Sequence, residues 1–163
     1  MFNYYRVSWE DTLTFNLSGL ILHTSPPPGS GAILGGILKV LDQFKPKYDD
    51  DEKETIFKFL EASKFAYAQR SKLGDWINDK EIYPEVNETI NKILGNKWLD
   101  WVLDNWNDIE TQLNATYYGA DFEYVPQDHG TSHVSILAPN GDAVSITSTV
   151  NTYFGSGKIN SIK

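Results

Sequence analysis

Apolar side chains recur along this chain in changing rhythms, and each rhythm predicts a different element. Residues 2–24 are rich in β-formers. Tyr4, Tyr5, Val7 and Trp9 open the segment, Glu10-Asp11 interrupts it, and Leu13, Phe15, Leu20, Ile21 and Leu22 continue it. That pattern predicts two or three strands. Pro26-Pro27-Pro28-Gly29-Ser30-Gly31 then forbids regular structure. From Ala32 to Phe44, Ile33, Leu34, Ile37, Leu38 and Leu41 fall at helical spacing. They predict a buried helix ended by Pro46, in spite of the helix-weakening Gly35 and Gly36.

Asp49-Asp50-Asp51-Glu52 comes next. Acidic residues suit a helix start, where the dipole is positive, and that explains this run better than a cation site. The next helix is expected from about Glu52 to Leu73. Ile56, Phe59, Leu60, Ala66 and Tyr67 form one stripe, Phe57 and Phe65 widen it, and Gly74 serves as a C′ residue. A short helix is expected over 85–94 and a longer one over 97–113. The latter carries Trp98, Trp101, Val102, Trp106, Ile109 and Leu113 on one face. Those tryptophans read as a core stripe in preference to a ligand platform.

From His133 to Asn151 the rhythm becomes alternating, with Asn140-Gly141 in the middle, a strong hairpin signal. Val134, Ile136, Val144, Ile146 and Val150 are all even-numbered. Placing them on one side requires even positions to face even positions, because side chains alternate across a strand. The other side then collects Thr131, His133, Ser135, Ser145, Thr147, Thr149 and Asn151. A symmetric two-residue turn would break this parity, so a bulge or an odd-length loop is expected near Asn140-Gly141. A hydroxyl-rich face of this kind is either a solvated strand face or an active-site wall. The order of strands, helices and a final hairpin reads as α+β.

Composition and charge narrow the classes. With 163 residues, 40% apolar, the chain has the size and core of one ordinary domain. It has no cysteine, hence no disulfide, thiol nucleophile or thiolate metal site. A net charge of −8 argues against a nucleic-acid partner. Residues 131–163 hold one Asp and two Lys, a net +1, so residues 1–130 hold −9 and the hairpin is nearly free of charge. No apolar run approaches the roughly 20 residues that span a bilayer, and Met1 to Val7 do not read as a signal peptide. His23, His129 and His133 form no HExxH pattern, so no metal and no cofactor are expected. His133 reads as a hydrogen-bonded structural residue in preference to a catalytic base.

Several stretches are similar to one known family, in its order. They are Pro26-Pro27-Pro28-Gly29-Ser30-Gly31, Glu61-Ala62-Ser63-Lys64-Phe65-Ala66-Tyr67-Ala68-Gln69-Arg70 and Leu73-Gly74-Asp75. Asp128-His129-Gly130-Thr131-Ser132-His133-Val134-Ser135 is the next, then Asp142 through Asn151, then Tyr153-Phe154-Gly155-Ser156. Together they resemble the γ-glutamyltransferases, also called γ-glutamyl transpeptidases or glutathione hydrolases. The resemblance implies an N-terminal-nucleophile hydrolase, a four-layer αββα sandwich, here incomplete. It implies self-cleavage between Gly130 and Thr131, so that 1–130 ends a large subunit and 131–163 begins a small one. It makes Thr131 the nucleophile toward glutathione and other γ-glutamyl compounds, with water or an amino acid or dipeptide as acceptor. Thr149 matches the threonine that supports the nucleophile, and Asn151 a residue that holds the glutamyl group.

The family also uses an upstream arginine, a downstream acidic segment, a serine pair and a Gly-Gly oxyanion loop. This chain carries none of them, and Arg6 and Arg70 match no such motif. The expectation is the interior of a longer precursor, with little activity by itself. Asn16, Asn87 and Asn114 open glycosylation sequons. With the resemblance they suggest an extracellular or cell-surface protein whose anchor or signal lies outside these residues. Two other readings remain: a non-catalytic secreted binding protein of the same family, and an N-terminal-nucleophile acylase with another amide substrate.

Overall fold

In a computed structural model, residues 7, 9–45, 47, 51–74, 84–121 and 130–150 are described. The first strands are β1 (Leu13–Leu17) and β2 (Leu20–Thr24), an antiparallel pair with Phe15 opposite Leu22. Ser18 and Gly19 join them at φ 46° and 87°, the doubly left-handed turn whose twist suits a two-residue hairpin. Val7 and Trp9 lie in irregular backbone, and the expected opening at Tyr4 and Tyr5 falls outside the described residues.

Helix α1 (Gly31–Gln43) is the hub of the first unit, residues 1–123. It packs on β1, on α2 (Glu52–Tyr67), on α3 (Pro84–Leu94) and on α4 (Asn96–Asp104). Its two glycines, expected only to weaken it, are what let it serve as a hub. A Cβ on Gly35 would lie 2.1 Å from the Phe15 ring, and one on Gly36 would lie 3.1 Å from Ile93. From α1, Lys39 reaches the end of α3 and donates to the carbonyls of Leu94 at 2.7 Å and Gly95 at 2.9 Å. It thereby satisfies carbonyls that a helix C-terminus leaves open. Burial holds the Lys39 ammonium below the ordinary lysine range, against an opposing pull from Asp100.

The acidic run does start a helix. The Asp51 carboxylate caps α2, accepting from the backbone N–H of Lys53 and Glu54 at 2.8 and 3.1 Å. Two expectations for α2 need correction. It ends at Tyr67, with a single 3₁₀ turn over Arg70–Lys72, so Gly74 is not its C′ residue. Its buried face is Glu61, Ala62, Phe65 and Ala66, whereas Ile56, Phe59, Leu60 and Tyr67 are each half-exposed. The two alanines leave room for close approach to α1, which the bulky stripe would prevent.

Helix α4 is also shorter than expected. It stops at Asp104, where the Asn105 amide donates to Trp101 O at 2.8 Å. The Asn107 carbonyl oxygen then takes the N–H groups of Ile109 and Glu110 at 2.8 and 3.2 Å. Asparagine side chains thus offer the backbone an alternative to the helix. Ile109 and Leu113, expected on the core face, are 91% and 98% exposed. The tryptophans do join the core. Trp98 is buried, and Phe65 meets Trp101 edge-on at 5.7 Å and Tyr118 at 4.9 Å.

The second unit, residues 124–163, contains β3 (Ser132–Leu137) and β4 (Ala143–Ser148). Helices and strands occupy separate stretches of the chain, an α+β arrangement.

Candidate functional site

The site begins with the ladder between β3 and β4. Ser132 faces Ser148, Val134 faces Ile146, Ser135 faces Ser145 and Leu137 faces Ala143. Even positions face even positions, as the apolar pattern required. The loop supplies the odd length. Ala138 N donates to Asp142 O at 2.8 Å, and Gly141 N returns to Ala138 O at 2.9 Å. Pro139, Asn140 and Gly141 are left as the three loop residues, with Gly141 left-handed at φ 93°.

One face of the hairpin is a hydroxyl network around His133. Its Nδ1 lies 2.7 Å from Thr147 Oγ1, and its Nε2 lies 2.9 Å from Ser135 Oγ and 3.1 Å from Ser145 Oγ. Every ring nitrogen is therefore used in holding the two strands in register. The opposite face carries Val134, Ile136, Val144 and Ile146, all about half-exposed. This differs from the burial expected of them, because a lone two-stranded ladder has two faces and cannot cover either by itself.

At the open end of the hairpin the sequence-derived residues come together. The same register, carried one step beyond Ser132 and Ser148, sets Thr131 across from Thr149. Thr149 Oγ1 donates to the Gly130 carbonyl at 2.9 Å. Gly130 is left-handed, at φ 76°. Thr131 is exposed, so its hydroxyl is open to a reactant. The arrangement combines an exposed threonine, the peptide carbonyl that precedes it and a donor on that carbonyl oxygen. Asp142 is the one charged side chain in residues 131–150, and it sits at the far, loop end. Asn151 and His129 fall outside the described residues. Among the described residues no cluster of His, Asp or Glu could hold a metal ion.

The hydrogen bond from Thr149 to the Gly130 carbonyl was not legible in the pattern. Alternation placed it on the face of Thr131, but which atom it bonds depends on the left-handed turn at Gly130. Asn16, Asn87 and Asn114 are all exposed. The Asn114 side-chain oxygen Oδ1 accepts both the N–H and the hydroxyl of Thr116, at 2.9 and 2.8 Å.

A model of the gamma-glutamyltranspeptidase family matches residues 2–161 of the chain. The chain belongs to this family. Among relatives, a Scolopendra dehaani protein named Scoloptoxin SSD14 is 39% identical over 159 residues, 94% of this chain and 26% of that protein. Glutathione hydrolase 2 of Arabidopsis thaliana is 34% identical over 153 residues, 93% of this chain and 25% of its own. The human glutathione hydrolase 5 proenzyme is 33% identical over 151 residues, covering 90% and 25%. The chain thus spans about a quarter of the length of the curated relatives it matches. Within the γ-glutamyltranspeptidase match lie the whole β3–β4 hairpin and the Gly130–Thr131 bond. Among the described residues no helix is long and apolar enough to cross a membrane.

Proposed function

We propose that this chain supplies the nucleophile hairpin of a γ-glutamyl acyltransferase and glutathione hydrolase. The observation that carries the reading is the grouping of Gly130, Thr131 and Thr149 at one end of the hairpin, inside the family match. Cleavage at Gly130–Thr131 frees the Thr131 amine. A free α-amine titrates near pH 8, so it takes the proton of its own hydroxyl at neutral pH. The Thr131 oxygen attacks the γ-carbonyl carbon of a γ-glutamyl amide, and the leaving amine departs with a proton. Water, or the amine of an amino acid or dipeptide, then resolves the γ-glutamyl ester. Thr149 supports the nucleophile, and Asn151 holds the glutamyl end. No cofactor takes part.

The two subunits of the cleaved product would be a large one ending in residues 1–130 and a small one beginning with residues 131–163. The fold proposed for the whole protein is the four-layer αββα sandwich of an N-terminal-nucleophile hydrolase. Activity is proposed for the whole protein, since the chain spans about a quarter of the length of its curated relatives. The 163 residues alone should turn over little, because the β3–β4 hairpin is exposed, and electrostatic stabilisation of a reacting group is strong only where water is excluded. The relatives' names, glutathione hydrolase and proenzyme, support substrate and maturation. The exposure of Asn16, Asn87 and Asn114 supports their glycosylation, at the cell surface or outside the cell.

The deciding experiment measures chromophore release from a γ-glutamyl anilide by the whole gene product, wild type against Thr131→Ala. Release that Thr131→Ala abolishes supports the reading. A second reading is a non-catalytic secreted binding protein of the same family, kept open because one relative carries a toxin's name and not an enzyme's. A whole product that is intact at Gly130–Thr131 and silent toward γ-glutamyl amides would select it. Cleavage with turnover of a different amide would select an acylase.

A further inference from the structure

In the uncut chain the Thr149 hydroxyl engages an atom that the catalytic cycle does not contain. It donates to the Gly130 carbonyl oxygen at 2.9 Å, the carbonyl of the bond that would be cut. The geometry points to Thr149 as the oxyanion donor of self-cleavage, a role before and distinct from its support of the mature nucleophile. This inference rests on the reading of Gly130–Thr131 as the cleaved bond.

The placement dictates the chemistry. Thr131 Oγ attacks the Gly130 carbonyl carbon, and the carbonyl π pair moves onto its oxygen. The bond from that carbon to Thr131 N then breaks, and the nitrogen gains the proton lost by Oγ, relayed by a water molecule. The product is an ester of Gly130 on Thr131, which water hydrolyses to a Gly130 carboxylate and a free Thr131. In both steps negative charge grows on the Gly130 oxygen. A donor 2.7–3.1 Å from that position stabilises the charge without further rearrangement, and about 10²–10³-fold in rate typically rests on one such donor. Thr149 Oγ1 stands within that distance.

Two features of the hairpin hold the donor there. His133 bridges Thr147 on β4 to Ser135 on β3, which prevents a slip of one residue. Such a slip would turn Thr149 to the other face. The left-handed Gly130 turns its carbonyl toward β4, a conformation that costs other residues about 1–2 kcal/mol. Once the bond is cut, the Gly130 oxygen is no longer tied to Thr131. The Thr149 hydroxyl then gives up that contact and can turn to the nucleophile. One side chain therefore serves in order, first maturation and then turnover, and support of Thr131 becomes available only after cleavage.

The test tracks cleavage of newly made whole gene product by intact mass, for wild type, Thr131→Ala, Thr149→Val and Thr149→Ser. Valine keeps the β-branched shape and the strand preference while removing the donor; serine keeps the donor. The expected result is cleavage slowed on the order of 10²-fold in Thr149→Val, with Thr149→Ser within about tenfold of wild type. A Thr149→Val protein that is folded by its melting transition and cleaves within about twofold of wild type overturns the inference. Loss of rate in Val and Ser alike also overturns it, since a packing role would then suffice. An uncut wild type, or cutting that survives Thr131→Ala, overturns the self-cleavage reading itself and is distinguished by those two samples.

Discussion

The ring of Phe15 occupies the space in which Gly35 would carry a side chain. A Cβ at Gly35 would fall 2.1 Å from the ring edge, and Phe15 is buried. The strand pair β1–β2 is therefore seated on α1 through a ring laid against bare helix backbone. Gly35→Ala should destabilise the first unit by about 1–3 kcal/mol, although alanine is the better helix former by about 1 kcal/mol. The double variant Gly35→Ala/Phe15→Leu should recover part of the loss. Urea midpoints of the four proteins in the cycle measure this, and additive losses would show that the two residues are not coupled.

Glu61 ties α2 to the chain beyond α4 in a buried polar cluster. Its carboxylate takes the Thr111 hydroxyl at 2.5 Å, the Tyr118 hydroxyl at 2.7 Å and the Lys64 ammonium at 3.0 Å. Burial pushes this carboxyl up, but the hydrogen bonds from Thr111, Tyr118 and Lys64 outweigh it and hold Glu61 below the ordinary carboxylate range. A depressed folded-state value gives stability that is complete above the unfolded value of about 4.3 and is lost as pH falls through the folded value. Wild type should therefore lose stability on acidification below about pH 4.3, and Glu61→Gln should lose less over that window. At pH 7, Glu61→Ala should cost about 3 kcal/mol, since it strands the partners of a buried carboxylate. Unfolding curves at about pH 7 and about pH 3.5 check both statements.

The two faces of α2 should respond very differently to mutation. Phe65 is buried at the centre of an aromatic group, while Phe59 is half-exposed. Phe65→Ala should cost about 3–5 kcal/mol, and Phe59→Ser about 1 kcal/mol or less. Equal losses in thermal unfolding would restore the bulky stripe as the core face.

Gly130 should resist replacement for a backbone reason alone. At φ 76°, with nothing within 4 Å of the point a Cβ would occupy, the obstacle is conformation and not space. Gly130→Val should therefore leave the unfolding midpoint of the first unit unchanged. Under the proposed self-cleavage it should slow release of the Thr131 N-terminus by about tenfold or more, from a cost of about 1–2 kcal/mol for the left-handed turn. N-terminal sequencing over time gives the rate.

Much of this architecture could be read from periodicity. The α1 and α3 helices, the acidic start of α2 and the hairpin parity all arise from local rules of spacing and charge placement. The misreadings share one cause. In α2 the bulky residues Ile56, Phe59 and Leu60 and the small residues Ala62 and Ala66 both satisfy helical spacing. In α4 the spacing of the tryptophan stripe continues past Asn105, where asparagine side chains end the helix.

By itself, the sequence determined the order of elements, the family and the parity that sets Thr131 and Thr149 on one face. Those depend on neighbours in the chain and on a two-residue alternation. The tertiary structure alone decided which face of α2 is core, why Gly35 is glycine and what Glu61 bonds. It also decided that the Thr149 hydroxyl meets the Gly130 carbonyl. Each of these depends on contacts between residues far apart in the chain, or on a single backbone angle, and neither is written in the spacing of apolar residues.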